Sequence, residues 1–245
     1  MYKNYIFDFY GTLVDIKTDE DKKELWDKMS SLYNSFGMNY TGDVLKEKYL
    51  HLCQEYEKKT KGELVEIDLK KVFIDLAYYK NKIGDLDEFA KMMANTFRVL
   101  SREFIYPYKH TIPTLKYLKE KGCNIYLLSN AQSVFTLNEI KLSGVYDYFD
   151  DIFMSSDYGI KKPNKAFLKQ LVDKHHLNID ESVMVGNDLL ADCKVASLNN
   201  MHSIYLNTFN YSMSKTMSII TENNINDVSV LIDGDIKHLM EDKND

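Results

Sequence analysis

The chain is expected to fold as an α/β protein: a Rossmann-like, doubly wound parallel sheet core with an inserted four-helix-bundle cap domain. Three observations predict this. Short apolar runs end abruptly in polar turn residues, as strands buried on both faces of a parallel sheet do. From Tyr106 onward these runs alternate with helical patterns, which implies a parallel sheet with helices on both faces. Between Lys17 and Arg102 the texture is different: rich in Lys, Glu, Leu, Tyr and Met, without proline, and helical in period.

Taken in order, residues 5–8 read as an apolar strand that ends in a carboxylate, Asp8, with Gly11 and Thr12 turning the chain just beyond it. Residues 19–36 carry Leu25, Met29, Leu32, Tyr33 and Phe36 at helical spacing, closed by Gly37. Residues 43–59 repeat the pattern with Leu45, Tyr49, Leu52, Cys53 and Tyr56, and residues 63–80 and 85–102 do so again after turns at Gly62 and Gly84. The expected division is therefore a core of residues 1–16 and 103–245 and a cap of residues 17–102, with its joints near Ile16 and Tyr106 close together. In the core, helices are predicted over residues 111–121, 134–142, 165–175 and 192–198, and strands over 124–128, 152–154, 183–185 and 202–206. Residues 219–240 add a strand or loop and a helix. The Tyr and Met residues of the cap, including Tyr33, Tyr40, Tyr49 and Tyr56, read as core packing.

Composition narrows the function. The 245 residues carry a formal charge of -6, which argues against general nucleic-acid or anionic-membrane binding. No apolar run is long enough to cross a bilayer. The first residues lack the pattern of a signal peptide. Cys53, Cys123 and Cys193 are widely spaced with no C-x-x-C pair, as expected of a reduced cytoplasmic protein without structural zinc. Cys53 and Cys123 read as buried small hydrophobes. His110, His175 and His176 read as surface or satisfied histidines, and neither a P-loop nor a G-x-G-x-x-G is present.

In an open parallel sheet, ligands bind beyond the carboxyl ends of the strands. Four such ends carry polar residues: Asp8; Ser129 and Asn130; Lys161 and Lys162 ahead of Pro163; and Asn187, Asp188 and Asp192. A carboxylate at the first of these positions can serve as a nucleophile, a metal ligand or both.

These fragments resemble the haloacid dehalogenase (HAD) superfamily of hydrolases with a helical C1-type cap: FDFYGTLVD, YLLSN, GIKKPNKAF and VMVGNDLLADCKVASLNNM, in that order. The resemblance implies that Asp8 is the nucleophile, forming an aspartyl-phosphate or attacking carbon. It implies that Lys162 offsets the negative charge and that Gly11, Thr12, Ser129 and Asn130 cradle the transferring group. Mg²⁺ would be held by Asp8, the Tyr10 backbone carbonyl and the Asn187–Asp188 pair. Asn187 stands where many relatives have the first acid of that motif, so Asp188 or Asp192 is expected to take its role.

The departure is Tyr10. Phosphatases of this superfamily usually carry there an Asp that protonates the leaving alkoxide, whereas 2-haloacid dehalogenases have D-x-Y-G-T. A phenol is a weak acid and, when neutral, a poor base near pH 7. Against a dehalogenase, the cap lacks an arginine before Arg98 and Arg102, and the acidic motif keeps Asp188 and Asp192. Three readings follow: a Mg²⁺-dependent phosphatase-like hydrolase acting on a small phosphorylated metabolite, a metal-independent 2-haloacid dehalogenase, and a slow or non-catalytic phosphometabolite binder. Oligomeric state stays open.

Overall fold

A computed structural model describes residues 1–60, 62, 64–80 and 83–241. Strand β1 (Asn4–Phe7) is buried along its whole length. An antiparallel ribbon follows, β2 (Val14–Thr18) with β3 (Arg102–Pro107), and between its strands lie helices α1 (Lys23–Ser35), α2 (Gly42–Lys59), α3 (Leu69–Asp75) and α4 (Leu86–Ser101). The chain then alternates: α5 (Thr111–Glu120), β4 (Asn124–Ser129), α6 (Ser133–Leu142), β5 (Asp151–Met154), α7 (Ser155–Tyr158), α8 (Lys165–His175) and β6 (Ser182–Gly186). It ends with α9 (Lys194–Leu198), β7 (His202–Leu206), α10 (Met213–Glu222), β8 (Val228–Leu231) and a 3₁₀ turn at Ile236–Met240.

The main sheet has the order β5-β4-β1-β6-β7-β8, and all its pairings are parallel. The chain leaves β1 toward β4 and β5, then returns to the other side of β1 at β6. That reversal makes the tip of β1 the crevice where ligands bind in such sheets. Phe7, Ile125, Leu127, Val183 and Val185 fill the core on one face; Ile6, Leu128, Met184, Phe167 and Leu171 fill it on the other. The near-continuous apolar strands are thus explained by burial on both sides.

Helices α1–α4 enclose a second core, in which Trp26, Met29, Tyr33, Tyr49, Phe73, Phe89, Met93 and Phe97 are all buried together with Phe135 of α6. The cap tyrosines pack as their period predicts. Tyr33 and Tyr40 are buried, and their hydroxyls donate to the carbonyls of Phe73 (2.8 Å) and Leu76 (2.7 Å). The Tyr56 hydroxyl donates to Asp75 Oδ2 at 2.6 Å.

Several boundaries differ from the sequence expectation. The helix expected over 63–80 is formed only at Leu69–Asp75, where Asp68 caps its first turn; Glu63 lies outside the described residues. The first cap helix begins at Lys23 rather than 19, because residues 14–18 are paired in the ribbon. That ribbon was not anticipated, although VDIKT alternates in the strand period; it sets Ile16 opposite Ile105 and Asp15 opposite Tyr106. The helix expected from Asp192 begins instead as a widened π-type turn over Leu189–Cys193. Cys123 and Cys193 are buried, but Cys53 is only partly so; all three are free. Among the described residues, no helix is long and apolar enough to cross a membrane.

Candidate active site

Asp8 follows the last residue of β1, and its backbone N–H still donates to the Val185 carbonyl of β6 at 3.0 Å. Its carboxylate is thereby fixed at the strand tip between β4 and β6. Oδ1 accepts two hydrogen bonds, from Lys162 Nζ at 2.8 Å and from Ser129 Oγ at 3.0 Å. Among the described residues, Oδ2 has only the Thr12 hydroxyl, at 3.5 Å. One oxygen is therefore tightly held and the other lightly held.

Lys162 is 3% exposed, and its ammonium donates to Asp8, to the Leu128 carbonyl (2.7 Å) and to Asp192 Oδ1 (2.6 Å). All three of its protons are used. Burial disfavours the charged ammonium, but Asp192 and Asp8 beside it outweigh that, and its pKa is raised. Asp192 is equally buried. Desolvation, opposed by Lys162 and reinforced by the charge of Asp8, holds its carboxyl well above the usual carboxylate range. Lys162 is aimed from the backbone: its N–H donates to Asn130 Oδ1 (2.7 Å) and its carbonyl accepts from Asn130 Nδ2 (3.0 Å). Asn130 thus works on the lysine loop.

Two glycines permit this packing. Gly11 has φ +75°, and a Cβ there would lie 2.2 Å from Asn187 Nδ2. A Cβ on Gly186 would lie 2.1 Å from Asp192 Oδ2. Asn187 is buried, with Oδ1 accepting from Thr12 Oγ1 (3.2 Å) and Nδ2 donating to Thr208 Oγ1 (3.2 Å). Thr208 in turn donates to the Gly11 carbonyl at 3.0 Å.

Asp188 is engaged at the turn that follows β6. Its Oδ1 caps the widened turn, accepting from Leu190 N–H (2.8 Å) and Ala191 N–H (3.0 Å). Asp192 faces inward instead, its Oδ2 accepting from the Asp188 N–H at 3.0 Å. Of the three carboxylates named from the sequence, Asp8 and Asp192 both reach the Lys162 ammonium.

These residues decide whether Mg²⁺ fits. Among the described residues, no three His, Cys, Asp or Glu side chains form a group able to hold a metal. The Thr12 hydroxyl has one proton, yet both Asp8 Oδ2 and Asn187 Oδ1 lie within its reach. At least one of these two hard oxygens is left short of a donor. An all-oxygen set with one carboxylate, completed by substrate phosphate and water, is a minimal Mg²⁺ site. The donor set fits the ion, at low charge.

Tyr10 points elsewhere. Its hydroxyl donates to Glu139 Oε2 (2.5 Å) and lies 2.9 Å from Thr136 Oγ1, both on α6. Burial, with the Glu139 carboxylate beside it, drives its pKa far above the usual phenol value. Glu139 is buried and also accepts from Arg98 Nε (2.8 Å) and Arg102 Nη1 (2.9 Å). Arg98 stacks its guanidinium over the rings of Tyr10 (5.4 Å) and Phe135 (4.9 Å). The sequence reading missed Glu139. Its signal was a lone carboxylate on the buried face of α6, facing Arg98 of α4 and Arg102 at the start of β3. The histidines pair structurally: His110 with Asp235 (2.9 Å) and His175 with Asp151 (2.7 Å).

Comparison with known proteins identifies the family. A family model described as haloacid dehalogenase-like hydrolase matches residues 2–197. A glyceraldehyde 3-phosphate phosphatase of Methanocaldococcus jannaschii is 24% identical over 202 residues, covering 80% of this chain and 81% of its own. Among solved structures, an HAD phosphatase from Thermococcus onnurineus superposes with a TM-score of 0.59 at 18% identity, covering 97% of both chains. A 2-haloacid dehalogenase from Pseudomonas syringae pv. Tomato gives 0.60 at 19% identity, covering 91% of this chain and 99% of that one. The last two likenesses concern the fold.

Proposed function

Because the chain belongs to the haloacid dehalogenase-like hydrolases, we propose that it is a phosphatase-like enzyme acting on a small phosphorylated metabolite through an aspartyl-phosphate on Asp8. The observation that carries this reading is the asymmetric carboxylate: Oδ1 is held by Lys162 and Ser129, while Oδ2 is left lightly bonded to attack. An attacking oxygen positioned in this way gains from orientation, and Lys162 and Ser129 supply fixed positive potential where charge develops. The phosphatase named among its relatives supports a small phosphorylated substrate.

Asp8, Asn187 and the Tyr10 backbone carbonyl would hold Mg²⁺, with Asp188 kept as a helix cap. When bound, the ion supplies charge neutralisation for the phosphoryl oxygens. Ser129 donates to the group in flight, and Asn130 keeps the Lys162 loop in register. Asp192 holds the Lys162 ammonium from the side opposite Asp8. The helical cap over this edge excludes water.

Tyr10 does not replace the missing acid, since its hydroxyl is committed to Glu139. Protonation of the leaving group is worth about 10²–10⁴-fold, so the enzyme favours phosphoesters whose leaving group needs no proton. A dehalogenase is the second reading, favoured by Tyr10 and Asn187 and by a leaving halide that needs no acid. It is opposed by the engagement of both late cap arginines with Glu139.

The test is a panel of alkyl and activated aryl phosphates, each with Mg²⁺ and with EDTA, run beside chloride release from 2-chloropropionate. The proposal expects Mg²⁺-stimulated phosphate release, faster from aryl than from alkyl esters, and no chloride. Chloride release in EDTA would overturn it. If no substrate turns over while inorganic phosphate still raises the melting temperature, the protein is a binder.

A further inference from the structure

Besides the contacts of α4 with α6, the cap meets the core through residues 64–69, and the hydrogen bonds of that segment to the core fall on the loops that carry Gln132, Ser155 and Lys161. Val65 forms an antiparallel bridge with Ile160 in the strip before Lys162: Lys161 N–H donates to the Leu64 carbonyl (2.9 Å) and Glu66 N–H to the Gly159 carbonyl (3.1 Å). The Glu66 carboxylate accepts from Ser155 Oγ (2.8 Å) and Gln132 Nε2 (3.2 Å).

Gln132 belongs to the loop after β4, yet among the described residues its side chain bonds only to this cap segment. Nε2 also donates to the Ile67 carbonyl (2.7 Å), and Oε1 accepts from the Leu69 N–H (2.9 Å). Ser155 closes the circuit by accepting from the Ala131 N–H at 2.9 Å. Its single proton has two acceptors in range, Glu66 Oε2 at 2.8 Å and the Ala131 carbonyl at 3.3 Å. The shorter bond, to an ionised group, is the stronger. Ala131 adjoins Asn130, whose amide grips the backbone of Lys162 on both sides. Two routes therefore run from the cap segment to Lys162, one through Gly159–Lys161 and one through Ser155, Ala131 and Asn130.

We propose that Glu66 and Gln132 are positioning residues, and that seating the cap on the loops after β4 and β5 sets the Lys162 ammonium against Asp8. With the segment lifted, the lysine loop loses its bridge and Ser155 loses its charged acceptor, so Asp8 loses its orienting partner. The site is complete only when the cap is down. The kinetic part of this inference rests on the phosphatase reading; the structural part does not.

The test uses the full chain with Glu66→Ala and Gln132→Ala, singly. Residue-resolved amide hydrogen exchange is measured at Lys161 and Lys162, with thermal midpoint and aryl phosphate kinetics beside it. Both variants are expected to exchange faster at Lys162, whose amide donates to Asn130 and not to the cap, with the rise confined to the cap segment and the loops it touches and the midpoint lowered by only a few degrees. Because a misplacement of about 1 Å can cost about 10²-fold, kcat is expected to fall about 10- to 100-fold while KM holds. Faster exchange at Lys161 with unchanged exchange at Lys162 and unchanged kcat would overturn the proposal. So would a uniform rise in exchange across the chain with a lowered midpoint, which marks a merely structural role. If the wild type releases no phosphate, the phosphatase reading fails, and exchange at Lys162 alone decides this one.

Discussion

Replacing Lys162 with methionine tests the electrostatics of the site most severely. Methionine keeps the length and packing of the side chain but removes the one cation between two buried carboxylates. In the native protein Lys162 spans Asp8 at 2.8 Å and Asp192 at 2.6 Å, with its side chain 1% exposed. Breaking a buried ion pair by deleting one partner costs about 3–5 kcal/mol, because the remaining charge is left uncompensated. At about 2–4 °C per kcal/mol for a chain of this size, the melting temperature should fall by roughly 6–20 °C. The sign of the pH dependence is also fixed. Asp192 already has a raised carboxyl pKa, and the loss of Lys162 raises it further. A group whose folded pKa is raised contributes stability that is complete below its unfolded pKa and lost as pH rises through its folded pKa. The deficit of the variant should therefore be larger near pH 8 than near pH 5, roughly by the cost of holding that second charge. Urea denaturation of both proteins in EDTA at the two pH values gives the difference directly. A deficit under about 1 kcal/mol at both, or one that grows on acidification, would refute the reasoning.

Three further outcomes follow from the same geometry. Tyr10→Phe removes a donor from the buried Glu139 and should destabilise the fold by about 1–3 kcal/mol, while aryl phosphate turnover stays within about threefold; a loss of about 10²-fold or more would place the phenol in the chemistry. Asn187→Asp adds a second carboxylate beside Asp8 and should lower the half-saturating Mg²⁺ concentration by about tenfold, equivalent to about 1.4 kcal/mol; an unchanged Mg²⁺ titration would contradict the assigned donor set. Gly186→Ala forces Asp192 off Lys162, since the new Cβ would lie 2.1 Å from its Oδ2; urea denaturation should show a loss of about 1–3 kcal/mol.

The parallel sheet was legible because its strands are buried on both faces and so leave apolar runs that stop at polar tips. NIYLL and VMV became β4 and β6 with one residue added at an end or at each end. The meeting of Asp8, Ser129 and Lys162 was legible for the same reason: each lies beyond the carboxyl end of a strand of one parallel sheet, and the sheet order brings them together. Asp188 and Asp192 could not be told apart, because both lie in one strand-to-helix turn. The π-type turn over Leu189–Cys193 settles which faces inward, and it leaves no mark in residue spacing. Glu139 was hidden because a single glutamate in an apolar helix usually faces water. Its partners, Tyr10, Arg98 and Arg102, come from three other parts of the chain: the loop after β1, α4 and β3. The bonds of Gln132 to residues 66–69 were illegible for a like reason: they join segments more than sixty positions apart, and no local pattern announces them.

The most direct measurement is acid-quenched mass spectrometry of the protein during turnover of an aryl phosphate with Mg²⁺, paired with phosphate release by Asp8→Asn. A phosphoryl adduct on the peptide containing Asp8, absent from a variant that also releases no phosphate above background, is the predicted result. Undiminished release by the variant, or an adduct on any other residue, would contradict the assignment of Asp8 as the attacking group.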